Sequence, residues 1–157
     1  MKRQTAVRGV AVAASLAAIG LATTPAQADR VYHSEHLDLA SVGGAPLKSG
    51  FVQNIKAEGP VVYAHEIFVL NGAGPRATYT VRRNLFPFDS DCSGENGVFA
   101  SAVATLTTNR RGNARADVFV RPEEAAGFEG VHGVKWTVHT AGGALAYRTA
   151  CTAVTLD

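Results

Sequence analysis

The 157-residue chain has few cysteines, two in all, and one tryptophan and one methionine. Charged residues make up only 18%, while 46% are hydrophobic, which excludes a highly charged disordered chain. Sixteen glycines and six prolines fall short of a collagen-like or low-complexity composition. The uncharged apolar run near the N-terminus, Val10 to Ala22, is 13 residues long. A membrane-spanning helix takes about 20. Local catalytic signatures are missing too. There is no Gly-x-Ser-x-Gly elbow, no phosphate-binding loop and no Gly-x-Gly-x-x-Gly. The length suits one domain.

The first 28 residues have the layout of a secretory signal peptide. Lys2, Arg3 and Arg8 give a positive start, the apolar run follows, and Ala26-Gln27-Ala28 supplies a small-x-small cleavage site. No Arg-Arg pair precedes the run, so a general secretion route is expected rather than twin-arginine export. The expected mature protein is a single secreted domain, residues 29–157, with cleavage after Ala28 and no membrane span. Losing three basic residues leaves 12 basic against 13 acidic ones, net −1. A nucleic-acid partner calls for a strongly basic domain, so none is expected. Arg82-Arg83 and Arg110-Arg111 read as a solvated strand end and a turn.

Most of the mature chain alternates with the period of two that marks half-buried strands. Val61 to Leu70 is apolar on both faces, one of them Val62, Ala64, Glu66, Phe68 and Leu70, as in a central strand. Ala77, Tyr79, Val81 and Leu85 share one face of the next run. Phe99 to Thr107 follows. Ala114, Ala116, Val118 and Val120 share a face, as do Val134, Trp136 and Val138. Ala144 to Leu156 is one long apolar stretch. Val31 to Leu39 and Phe51 to Ala57 are weaker strands. Glycine, proline and asparagine separate these runs, and Asn109-Arg110-Arg111-Gly112 and Thr140-Ala141-Gly142-Gly143 look like hairpin loops. Only Pro122 to Ala126 suggests helix, of about one turn, with Glu123 and Glu124 at its positive end. The expected fold is all-β: an antiparallel sandwich of about eight strands, immunoglobulin-like or similar, with one disulfide.

Cys92 and Cys151 are expected to form that disulfide, because an even pair in an exported chain normally closes. Trp136 lies between them, as in immunoglobulin domains. But Tyr147 precedes Cys151 by four residues rather than two, and Cys92 falls in an acidic loop. The Ala-rich leader ending in Ala26-Gln27-Ala28, the Arg- and Ala-rich β chain and the late Cys151 together resemble small exported β-sandwich proteins of high-GC Gram-positive bacteria. Most of those have no assigned activity. The resemblance implies export and a sandwich fold, and it assigns no functional residue.

Asp89-Ser90-Asp91-Cys92-Ser93-Gly94-Glu95 is similar to the first half of a calcium loop, but its twelfth position is Ala100 instead of glutamate. No metal is expected there. His33, His36, His65, His132 and His139 have no convincing ligand spacing and read as surface or strand-edge residues. Ser93 lacks the flanking glycines of a protease signature, and Glu123-Glu124 reads as dipole compensation. No catalytic residue and no cofactor is expected. The chain is therefore expected to be a non-catalytic binding protein whose partner is a protein, a glycan or a cell-envelope component. The alternatives are a secreted proteinase inhibitor presenting the Asp89–Gly97 loop, and a small hydrolase with a site assembled from distant residues. Twelve aromatic residues exceed what one small core needs. Phe86 and Phe88, flanking Pro87, are the candidate binding residues, and Tyr32 is another aromatic expected to be exposed. Burial of both rings against the core end is the competing expectation.

Overall fold

The structure is a computed structural model that describes residues 33–56, 64–125, 127–128 and 130–156. The expected leader with its expected cleavage site, Tyr32, Val61 and Val62 lie outside the described residues.

Two antiparallel sheets pack face to face. Sheet I has the order β1-β3-β4-β7, built from β1 (His33–Asp38), β3 (Ser49–Lys56), β4 (Ala64–Asn71) and β7 (Ala114–Val120). Sheet II has the order β2-β9-β8-β5-β6, from β2 (Ala40–Ser41), β9 (Leu145–Arg148), β8 (Gly130–Thr140), β5 (Thr78–Phe86) and β6 (Phe99–Thr107). Strand β10 (Thr152–Leu156) also pairs with β8. One helical turn, α1 (Pro122–Ala125), links β7 to β8.

The alternating rows fall where their period places them. The even-numbered face of β4 points inward, with Phe68 and Leu70 fully buried, and so do Val134, Trp136 and Val138 of β8 and Tyr79 and Val81 of β5. With Val52, Leu106 and Val154 these fill one core between the sheets. β4 is an interior strand of sheet I, as its two apolar faces require.

The described residues form ten strands. The stretch Ala144 to Leu156 divides into β9 and β10, because the chain leaves the ladder at Ala150 and Cys151. Thr149 keeps hold of β8 across the break: its N–H donates to the Trp136 carbonyl (3.0 Å) and its hydroxyl accepts the Trp136 N–H (3.1 Å). The two-residue β2 is too short for alternation to reveal.

The Asn109–Gly112 turn is not a hairpin. Its chemistry is as expected: Asn109 Oδ1 accepts the N–H groups of Arg111 (2.8 Å) and Asn113 (3.1 Å). However, β6 pairs with β5 in sheet II while β7 pairs with β4 in sheet I, so the turn arches between sheets. Gly112 is required there. Its φ is 77°, and a Cβ would sit 2.0 Å from the Ala73 carbonyl oxygen. The Thr140–Gly143 loop does close a hairpin, β8 to β9.

The sandwich is tied shut at one end. The Tyr147 hydroxyl donates to the Pro46 carbonyl (2.8 Å) and lies 3.3 Å from the Tyr79 hydroxyl, which accepts the Gly74 N–H (3.1 Å). Burial, followed by the Tyr79 contact, pushes the Tyr147 phenol well above its ordinary range.

Candidate functional site

The opposite end of the sandwich stays open. A cleft of about 360 Å3 enters between the sheets where β3, β5 and β7 finish and β4, β6 and β8 begin. That volume lies at the lower end of the range for small-ligand pockets. Its walls are mostly apolar: Ala64 and Val120 from sheet I, Leu85, Val134 and Val154 from sheet II, and the rings of Phe99, Phe128 and Trp136. Asn54, Lys56, Glu66, Arg83, Ser101 and Glu124 add the polar groups.

Glu66 and Arg83 are the central feature. Glu66 belongs to the inward row of β4 and is 2% exposed. Arg83 follows Tyr79 and Val81 on the inward row of β5. Its Nε donates to Glu66 Oε1 (2.7 Å) and its Nη2 to Glu66 Oε2 (3.0 Å), a fork-to-fork pair across the two sheets. Asn54, directly opposite Glu66 in the β3–β4 register, is 5% exposed. The sequence reading placed Arg83 in a solvated strand end and so missed this site. The signal was present: an acid and a base each occupied an otherwise apolar inward row, at 66 and at 83.

Lys56 borders the cleft and donates to the Thr155 carbonyl (3.2 Å), and Glu124 Oε1 accepts the Arg121 N–H (3.3 Å). Glu124 is thus a helix-start acid, as expected, although it also borders the cleft. Among the described residues neither a histidine nor a cysteine lines it.

An aromatic chain runs from the cleft mouth to the disulfide loop. Phe99 and Phe128 meet edge to face at 5.4 Å and Phe128 and His132 at 6.2 Å, while His132 and Phe88 are tilted at 4.9 Å. His132 is fully buried, contrary to the expectation of a surface or strand-edge residue. Its even position places it on the inward row of β8. Its Nδ1 accepts the Phe88 N–H (3.2 Å), which puts the proton of the neutral ring on Nε2. His65 stacks on Phe119 (4.3 Å) and contacts Asp117 on the outer face of sheet I, while His36 is exposed and His139 is half-buried.

The two candidate binding residues part company. Phe86 is 7% exposed and lies beneath the disulfide loop on the outer side of sheet II, with the Lys135 ammonium 5.2 Å from its ring centroid. Phe88 is 68% exposed at a positive φ of 52°. The structure therefore makes Phe86 packing and leaves Phe88 on the surface. Phe86→Ser should lower unfolding stability by about 3 kcal/mol, the cost of deleting a buried ring, while Phe88→Ser should stay within about 0.5 kcal/mol. Urea unfolding of both variants checks this. Equal losses would contradict the assignment.

Cys92 and Cys151 are bonded, with Cα atoms 6.0 Å apart. The bond fastens the loop after β5 to the β9–β10 break, so it joins two parts of one layer, unlike the inter-sheet bond of immunoglobulin domains. Gly133 allows the close approach: a Cβ there would sit 2.3 Å from the Asp89 carbonyl oxygen and 2.7 Å from Cys92 Sγ. Asp89 organises the loop. Its carboxylate accepts from Ser93 N–H (3.1 Å), Ser93 hydroxyl (3.1 Å) and Gly94 N–H (2.6 Å). The residue that would open a calcium loop is thus engaged by the loop's own donors, as is Ser93. Among the described residues no group of three or more His, Cys, Asp or Glu could hold a metal.

The Asp91 side chain and then these loop donors hold Asp89 well below the usual carboxylate range. A depressed folded pKa means the contribution is fully present above the unfolded value of 3.8 and is lost as pH falls through the folded value. The Ser93 and Gly94 amide resonances should therefore titrate with a midpoint well below 3.8. In Asp89→Asn that transition should vanish. A midpoint at or above the ordinary value would contradict the geometry.

No protein-family model, curated protein or solved structure matches the chain. The cleft must speak for its own function.

Proposed function

We propose that the protein is a secreted, non-catalytic binding protein, released by cleavage after Ala28, and that it binds through the open end of the sandwich. The observation that carries this reading is the cleft itself: a mostly apolar cavity whose buried charges are spent on each other. Convergence of Glu66 and Arg83 on one cavity is the arrangement a hydrolase would also need. But general acid–base or nucleophilic chemistry needs a group free to take or give a proton at the reacting atom. Glu66 is clamped by two charge-assisted bonds, and Ser101 has no histidine beside it. The inhibitor reading has less support, because the Asp89 loop is folded down over Phe86 rather than projecting.

The test is turnover. Purified protein should hydrolyse none of a panel of generic ester, peptide and glycoside substrates above background. Reproducible hydrolysis abolished by Glu66→Gln or His132→Asn would overturn the reading.

A further inference from the structure

We infer that the cleft takes an uncharged, largely apolar small molecule and holds it by a carbonyl-type oxygen. This rests on the reading of the cleft as a binding site.

Beside the Trp136 indole N–H, two donors at its polar end have no partner among the described residues. The Asn54 carboxamide borders the cleft on a side chain that is 5% exposed, and it has no hydrogen-bond partner among the described residues. The Trp136 Nε1–H, on the cleft wall, is buried without a partner among the described residues; a buried donor left so is costly, and a site that keeps one gains when a ligand supplies the missing bond. Arg83 carries five N–H donors, of which Nε and one on Nη2 go to Glu66. Its Nη1 has no partner among the described residues. Asn54 sits across the strand pair from Glu66, and Arg83 grips Glu66 from the other sheet, so both donors flank one carboxylate. An oxygen acceptor delivered between the sheets meets both.

Charge selects against ionised heads. The Glu66–Arg83 pair is neutral as a unit. A carboxylate head would lie beside the buried Glu66, whose close cation, Arg83, is already paired, while the Lys56 ammonium is bonded to the Thr155 carbonyl. An ammonium head would meet the Arg83 guanidinium. Either would bring an uncompensated charge into an apolar cavity. Leu85, Phe99, Phe128, Val134 and Val154 suit an apolar body.

The experiment uses three probes that share a phenyl-alkyl body: 4-phenylbutan-2-one, 3-phenylpropanoate and butylbenzene. Each is titrated into the purified protein while the indole N–H resonance of Trp136, the chain's one tryptophan and a wall of the cleft, is followed by NMR. The ketone should saturate and bind about tenfold more tightly than either other probe, the worth of one charge-assisted hydrogen bond. Asn54→Leu should abolish the ketone's advantage over the hydrocarbon. Equal or tighter binding of the carboxylate, or of butylbenzene, overturns the assignment of the head while the cleft remains a binding site. No saturable shift with any probe overturns both. If Asn54→Leu does not fold, the ranking of the three probes on the unaltered chain decides by itself.

Discussion

Replacing Arg83 by methionine is expected to cost about 3–5 kcal/mol of unfolding stability, the penalty for stranding a buried charge. Glu66 is 2% exposed, and Arg83 supplies both of the bonds that satisfy its carboxylate. Removing the guanidinium leaves a carboxylate between two sheets with water largely excluded. The pair itself need not be strongly stabilising, because desolvating two ions offsets most of their attraction. The double variant Glu66→Leu/Arg83→Met should therefore recover most of the loss. Urea unfolding of the single and double variants gives both numbers. A single variant within 1 kcal/mol of the parent, on the order of an exposed ion pair, would mean that water reaches Glu66 freely and that the cleft floor is misassigned.

Cys151→Ser is expected to lower stability by about 4 kcal/mol, the upper end of the range for a disulfide. The two cysteines are 59 residues apart, and the chain-entropy model assigns large effects to long closed loops. For a domain of this size the melting temperature should fall by roughly 15 °C. The local consequence is as informative as the global one. Without the bond the Asp89–Gly97 loop is held by the Asp89 carboxylate and by Lys135 Nζ donating to the Cys92 carbonyl (3.3 Å). Phe86 should then become accessible before the inter-sheet core does, because it lies outside that core. Peptide-resolved hydrogen exchange separates the two. Simultaneous loss of protection in β5 and in the Phe68–Trp136 core would contradict the view of the loop as a separate cover.

How much of this was legible in the residues depends on which interaction decides each feature. Period-two alternation reports which side chains share a face, and it located β4, β5, β7 and β8 with their inward rows. It says nothing about which sheet a strand joins, so the Asn109 turn looked like a hairpin although β6 and β7 part to opposite layers. The disulfide was legible from cysteine count and the leader-like N-terminus. Its structural effect, splitting the last apolar stretch at Ala150 and Cys151, was not, because that depends on where Cys92 lies in space. Phe86 shows the same limit. Its parity places it on the outer face of β5, where a ring would be exposed, but the loop tied down by the disulfide covers it. Arg83 was hidden by its neighbour. Beside Arg82, which does face solvent, it looked like half of a basic pair, while its odd position already placed it in the core row with Tyr79 and Val81. A charged residue in an apolar row is the sequence feature that could have located the cleft, and only the partner from the other sheet explains it.

A fragment screen by two-dimensional amide NMR on the purified protein tests the binding reading most directly, because it does not presuppose the ligand. Binders should shift one contiguous set of resonances: the Trp136 indole, and the backbone amides of Asn54, Arg83, Ser101 and Val134. Hits that instead cluster on Phe88 or on the outer face around Phe119, or the absence of any saturable hit, would contradict it.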